Sequence, residues 1–355
     1  MPVDLSRTLV IGITSSALFD MTAEDRIFQN DGLEAYTAHQ IEHADNPLAP
    51  GTGFPLIKAV LRLNQIASTN PNATRRAEVV IASKNSPATC ERLFNSVQYH
   101  GLEDIHRSFL AGGAPVAPYL ESFSVDLFLS TSLGDVETAL EAEIPAALVY
   151  AVPDNLTDEI DQIRIAFDGD AVLFSDESEA IYQKYGLQAF LDHETMKADE
   201  PLPEGPFFKL LKVLSFLQAD PAFHDSPPVR IALITARSMP AHERVIRTLK
   251  LWDVRVDEAF FMGGVPKTKV LKVFRPHIFF DDQETHCEPA SALVPVGHVP
   301  TGPTNERGAT RKKKKKAGPR GGVKKAKASA KRKAKRKTKK VKEKGKQTRL
   351  KRRRT

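Results

Sequence analysis

Cysteine and tryptophan are scarce in this chain of 355 residues, which has two of the first and one of the second. Cys90 and Cys287 have no partners at metal-ligand spacing and cannot form a disulfide framework. That excludes a small stapled secreted domain and a structural zinc site, and it fits a reducing, cytoplasmic compartment. No apolar run approaches the ~20 residues that cross a bilayer, so no membrane partner is expected. The short stretch Leu9–Ile13 near the N-terminus reads as a strand rather than a signal peptide. A Gly-x-x-x-x-Gly-Lys-Ser/Thr run is also missing, so no ATP-cradling loop is indicated. Acidic residues all but vanish from Arg311 onward, where 26 Lys and Arg stand against Glu343 alone. That segment carries +25 while the whole chain carries +7, which leaves −18 on the residues before it.

The chain therefore joins two opposite electrostatic objects. The segment 306–355 has the unbroken run Lys312 to Lys316, no aromatic residue and almost nothing to bury, so it should be disordered. Its Lys/Ala-rich composition suits sequence-indifferent binding of nucleic acid by phosphate neutralisation. A solvated tail that clings to the acidic body or to any polyanion is the plainer alternative. The preceding residues are long enough, and apolar enough, for two domains of ordinary size.

Within that body, four clusters follow one another at the ends of short β-prone runs. Asp168-Gly-Asp170 follows Ile163–Phe167, Thr235 follows Ile231–Ile234, Lys267 comes next, and Asp281-Asp282 follows Ile278–Phe280. Open α/β sheets place their ligands at such strand ends. Taken singly, Asp-Gly is a turn dipeptide, Asp-Asp a loop pair, and Thr235 an N-cap for a helix starting near Met239. Taken in order, they supply what phosphoryl transfer needs: a nucleophile, a proton donor, charge neutralisation and donors for the phosphate oxygens. In that reading Asp168 is the nucleophile and Asp170 the acid and base. Thr235 and Lys267 hold the phosphate, with Arg237 as a further contact. Asp168, the Asp170 carbonyl, Asp281 and Asp282 offer oxygen ligands suited to Mg²⁺. A helical stretch at 176–228 is placed to roof this site, with Phe207, Phe208 and Lys209 as candidate substrate contacts; core packing is the ordinary use of the two phenylalanines.

The chain also repeats itself. Phe28–Tyr36 reappears as Tyr182–Phe190 and Asn46–Gly51 as Glu200–Gly205, both offset by 154 residues. Gly112–Pro115 reappears as Gly263–Pro266 and Asp126–Leu129 as His277–Phe280, both offset by 151. Carried across, Asp168 falls opposite Thr14, Asp170 opposite Ser16, Lys267 opposite Val116, Asp281 and Asp282 opposite Ser130 and Thr131, and Thr235 opposite Ser83. The first copy keeps a hydroxyl and loses every charge, so it reads as catalytically silent. Shaping the substrate pocket, covering the active half and mediating homo-oligomer assembly are the roles open to it.

The block Phe167-Asp-Gly-Asp-Ala-Val-Leu-Phe-Ser-Asp-Glu-Ser-Glu179 resembles the cytosolic 5′-nucleotidase I family of the haloacid dehalogenase-like superfamily. So do Ile234-Thr-Ala-Arg-Ser238, Arg275–Gln283 and the early Ser16-Ala-Leu-Phe19. The likeness covers roughly residues 7–303; the tail departs from the family pattern. It implies a haloacid dehalogenase-like doubly wound α/β sheet and Mg²⁺-dependent hydrolysis of nucleoside 5′-monophosphates, chiefly AMP, with IMP or deoxynucleotides as further substrates. It places the nucleophile at Asp168, the acid and base at Asp170, the phosphate ligands at Thr235 and Lys267 and the metal motif at Asp281 and Asp282. The expected organisation is a degenerate α/β repeat at 1–155, a catalytic domain at 156–305 with its insertion at 176–228, and the tail. The alternatives are a phosphatase of another small phosphoester, and a nucleotide-binding module that the tail tethers to nucleic acid.

Two outcomes follow from the sequence. Placing Asp at both Thr14 and Ser16 should not restore phosphate release to a protein lacking Asp168; a rescued phosphatase would overturn the silent-copy reading. Deleting 306–355 should abolish DNA retention in a filter-binding assay at physiological salt, and equal retention by the shortened protein would end the nucleic-acid reading of the tail.

Overall fold

The computed structural model describes residue 5 and residues 7–67, 76–151, 162–223 and 227–301. The boundary expected near 155 and the basic tail lie outside the described residues. The strands of the first half are β1 Leu9–Ile13, β2 Phe19–Asp20, β3 Ala49–Pro50, β4 Ala77–Ser83, β5 Arg107–Leu110, β6 Leu127–Ser130 and β7 Ala146–Val149. Those of the second are β8 Ile163–Phe167, β9 Val229–Thr235, β10 Glu258–Phe261, β11 Ile278–Asp281 and β12 Val296–His298. Ten of them form one sheet in the order β10-β9-β8-β11-β12-β7-β6-β1-β4-β5, while β2 pairs with β3 apart from it. The protein is a mixed α/β fold built on a large, mostly parallel sheet.

The repeat is visible in this order. Each half is a parallel five-stranded array in which the first strand lies at the centre, and β12 meets β7 antiparallel through Gly297↔Val149 and His298↔Leu148. The antiparallel join has a large consequence: the C-terminal strand ends of the two halves face opposite edges of the sheet. The loops of the first half that correspond to the acidic clusters therefore lie at the edge away from Asp168.

Strand composition explains the layering. Leu9, Ile11 and Ile13 of β1 share one buried cluster with Ile163, Ile165 and Phe167 of β8, and the helices Phe54–Ala67 and Phe208–Gln218 cover that face. The alternate residues face the other way, Val10 into a second cluster with Val80 and Phe128, and Ala166 into a third with Ala232, Ile234 and Phe279. With both faces covered, the strands read as continuous apolar runs, as in other doubly covered parallel sheets.

The helical stretch between β8 and β9 has a full counterpart in the first half. The helices Glu177–Tyr185 and Leu187–Met196 meet at Gly186, with φ 86°; the helix Thr22–Glu42 is broken at Gly32, with φ 85°, a conformation costly for any residue with a Cβ. Gly51 lies so close to the backbone that a Cβ there would meet the Ala17 carbonyl oxygen at 2.8 Å, and Gly205 is pressed against Phe174 in the same way. The segment is thus part of the repeated unit. Its last helix is no roof: Leu210, Leu211, Leu214 and Leu217 are fully buried, because their spacing makes an apolar stripe that packs on the sheet.

A paired clamp holds each central strand. Asp126 accepts the Val10 amide through Oδ2 at 2.8 Å and returns its own amide to the Val10 carbonyl at 2.8 Å. In the second half the Nδ1 of His277 accepts the Arg164 amide at 3.0 Å, and the His277 amide donates to the Arg164 carbonyl at 2.8 Å. Burial pushes the His277 imidazole down to about 4 from an ordinary 6.5, and the clamp needs the neutral ring. The folded protein therefore resists a proton that the unfolded chain accepts below about pH 6.5. Stability that is full above that pH is lost as it falls towards 4, by about 2 kcal/mol at pH 5. Urea unfolding of wild type and His277→Asn at pH 7.5 and 5 should show a smaller acid loss in the variant; equal losses would contradict this role.

Candidate active site

The cluster forms where β8 and β11 lie side by side. Asp168 follows the last residue of β8 and is tied to its neighbour by its amide, which donates to the Phe280 carbonyl at 2.8 Å. Asp281 is the last residue of β11, so the two carboxylates emerge together. Lys267, one residue before the helix Thr268–Phe274, brings its ammonium between them, donating to Asp168 Oδ1 at 2.7 Å and to Asp281 Oδ2 at 2.6 Å. All three side chains are buried. Asp282 completes the group: carboxylate oxygens of Asp168, Asp281 and Asp282 lie within 4.8 Å of one another.

Charge crowding sets the proton affinities. Burial of Asp168 outweighs the lysine and, with Asp281 adding repulsion, pushes it up to about 6. Asp282 is pushed up to about 10 by burial, then by Asp168 and Asp281. Burial would also raise Asp281, but Lys267 and His286 together hold it below the usual carboxylate range. Desolvation alone would lower Lys267; the two carboxylates reverse that and keep it charged. Three carboxylates and one ammonium in so small a space invite a further cation.

Thr235 ends β9 and is 1% exposed. Its Oγ1 accepts the Arg237 amide at 3.2 Å, and the following helix begins only at His242, so Thr235 is no N-cap. The Asp170 carboxylate stands apart from the acidic group. Arg237 grips it with two bonds, Nε to Oδ2 at 2.8 Å and Nη2 to Oδ1 at 2.6 Å, and places its third nitrogen on Glu194. Arg237 is thus turned onto two carboxylates rather than towards a phosphate, and despite burial these partners raise its proton affinity. Phe207 is fully buried against Phe280, with ring centroids 4.8 Å apart, and Phe208 lies 4.6 Å from Trp252. Lys209 reaches Glu143 at 3.5 Å on the surface. None of these three lines the acidic group.

Sequence reasoning missed Glu194. It is 1% exposed and receives Ser178 Oγ at 2.8 Å, Arg244 Nη1 at 2.9 Å and Arg237. The one signal was its register: Glu194 falls opposite Gln40 at the 154-residue offset. In the first half, hydroxyls stand opposite the four aspartates and Thr235. Ser16 and Thr131 lie 2.6 Å apart, and Ser15 and Ser83 3.1 Å apart. A cavity of about 280 Å³ opens there, lined by residues that include Ser16, Asp20, Thr131 and Tyr150.

No described helix is long and apolar enough to cross a membrane. Residues 1–306 match the family described as 5′-nucleotidase. Human cytosolic 5′-nucleotidase 1B is 34% identical over 297 residues, covering 82% of this chain and 48% of that protein. The chain thus spans about half the length of this curated relative. The resemblance carried by the Phe167–Glu179 block agrees with both likenesses, and the chain belongs to the 5′-nucleotidase family.

Proposed function

We propose that the protein hydrolyses nucleoside 5′-monophosphates of the AMP or IMP type to nucleoside and phosphate, in a haloacid dehalogenase-like active site and by way of an aspartyl-phosphate on Asp168. The observation that carries this reading is the buried group in which Lys267 joins Asp168 and Asp281 beside Asp282. The phosphoryl chemistry is argued from those side chains; the nucleotide as substrate rests on the family and on the name of its human relative.

The donor set fits Mg²⁺. Asp168, Asp281 and Asp282 present hard oxygen ligands in one small volume, and once all three are ionised Lys267 alone leaves that volume two charges negative. With the Asp170 backbone carbonyl these residues would hold the ion, which would neutralise charge on the phosphoryl oxygens. The protein's own groups carry the steps. An Asp168 carboxylate oxygen bonds to phosphorus while the bond to the nucleoside 5′-oxygen breaks, and that oxygen takes the proton of Asp170. Water then attacks phosphorus, gives its proton to Asp170, and frees phosphate and Asp168. Lys267 and Thr235 offer donors to the phosphoryl oxygens.

The first half, without these charges, takes no part in the chemistry in this reading, and its corresponding pocket opens at the other edge of the sheet. Assembly or the binding of a second ligand suits it better than covering Asp168. A cytoplasmic location and contact of the tail with nucleic acid complete the proposal.

Phosphate release should be measured from a panel of nucleoside monophosphates and unrelated phosphoesters, with Mg²⁺ and with chelator. Release from AMP or IMP should require the metal and fall at least ~10³-fold in folded Asp168→Asn. Substantial activity in that variant, or none in the folded wild type on any nucleotide, would contradict the proposal.

A further inference from the structure

The site contains a buried charged arm that the chemistry above does not use. It runs from Arg244 through Glu194 to Arg237 and ends on Asp170. Glu194 Oε1 accepts Arg244 Nη1 at 2.9 Å, its Oε2 accepts Arg237 Nη1, and Arg237 closes two bonds on Asp170 at 2.6 and 2.8 Å. Arg237, Arg244 and Glu194 are each at most 3% exposed. Asp170 itself sits in an irregular turn, where the next residue, Ala171, has φ 60°. Its backbone is not locked by a helix or strand, so its carboxylate depends on side-chain partners for its place.

The first half supplies an internal control. There Arg92, opposite Arg244, keeps the purely structural part of the arrangement. Its Nε donates to the Asn46 carbonyl at 2.8 Å as that of Arg244 donates to the Glu200 carbonyl at 2.9 Å. Ser96 and Thr248 repeat one stitch, each giving its hydroxyl to the arginine carbonyl at 2.7 Å and accepting the amide of Leu48 or Leu202 at 2.9 Å. Arg92 even keeps a buried carboxylate, Glu24 at 2.7 Å, which stands where the second half has Ser178. What is gone is the part that leads to the acid. Gln40 replaces Glu194, Asn85 replaces Arg237, and Ser16 replaces Asp170. Fold stability alone did not demand those three; they are present in the half that has the acid and absent from the half that lacks it.

We propose that Glu194 is a positioning residue: it anchors Arg237, and through Arg237 fixes the Asp170 carboxyl at the leaving oxygen. The inference rests on the role given to Asp170 above. It also assigns a task to the helix Leu187–Met196, which carries Glu194 to Arg237 and sets the Phe190 ring 5.4 Å from the same guanidinium.

The test uses the dependence on the leaving group. A nucleoside 5′-oxygen leaves poorly and needs the proton, whereas p-nitrophenolate leaves without one. Because breakdown of the shared aspartyl-phosphate needs Asp170 with either substrate, the first step is read from the pre-steady-state burst: Asp170→Asn should lose about 10²–10⁴-fold in the burst rate of nucleoside from AMP or IMP and keep that of p-nitrophenolate within about twofold. Glu194→Gln, which installs the residue of the first half, should show the same selectivity, with a loss of at least about tenfold in the nucleoside burst rate and little change in the nucleotide concentration that half-saturates it. Because this leaves Arg244 without its buried carboxylate, Ser178→Glu/Glu194→Gln is measured beside it. That pair copies the Glu24 and Gln40 arrangement, and it should melt near wild type while keeping the selective defect. If Asp170→Asn is selective and the folded Glu194 variants release both leaving groups in the burst at wild-type rates, or slow both bursts equally, the positioning role is overturned and the reaction scheme stands. If Asp170→Asn itself lacks the selectivity, the scheme falls first.

Discussion

A buried ammonium between two buried carboxylates governs the second half. Lys267 is the shared partner of Asp168 and Asp281, and Asp282 adds a third carboxylate within 4.8 Å. Removing such charges from water costs several kcal/mol each unless they are paired. The fold meets this by geometry. The parallel pairing of β8 and β11 sets the aspartates side by side, and the start of the helix Thr268–Phe274 delivers the lysine between them. Burial first, and repulsion among the carboxylates second, hold Asp168 and Asp282 above the ordinary carboxylate range.

The comparison between halves separates what builds the fold from what builds the site. Strand order, the clamps at Asp126 and His277, the glycine breaks at 32 and 186 and the arginine stitches at Arg92 and Arg244 occur in both. The acidic residues, Lys267, Arg237 and Glu194 occur once. The antiparallel seam between β7 and β12 then turns the two halves' ligand edges away from each other. That geometry disfavours a first half that covers the active site of its twin, and it leaves an independent pocket whose lining includes hydroxyls.

Much of this was legible in the sequence because Asp168, Thr235 and Asp281 each follow or end a short apolar run, and in a parallel sheet such runs end at the ligand edge. The repeat was legible for a related reason: Gly32 and Gly186 and the Gly51 and Gly205 pair occupy backbone positions that admit no Cβ, so their register persists after other side chains diverge. Glu194 was not legible. Glutamate on a polar amphipathic helix reads as a solvated face, and only tertiary contact with Arg237 and Arg244 buries it. Arg237 was placed near the phosphate by its neighbour Thr235, but the carboxylates of Asp170 and Glu194 take its guanidinium. The stretch at 176–228 read as an insertion because its helical period suits a lid as well as a crossover; packing of Leu210 and Leu214 on the sheet decides for the crossover. The two-residue seam carries too short a pattern to be seen before folding.

The central claim is that phosphorus bonds to Asp168. Protein turning over AMP with Mg²⁺ can be quenched and treated with borohydride, which reduces an acyl phosphate to an alcohol, and the peptides weighed by mass spectrometry. The account predicts homoserine at position 168, dependent on both substrate and metal. Reduction at another carboxylate, or none at position 168 during demonstrable turnover, would contradict it.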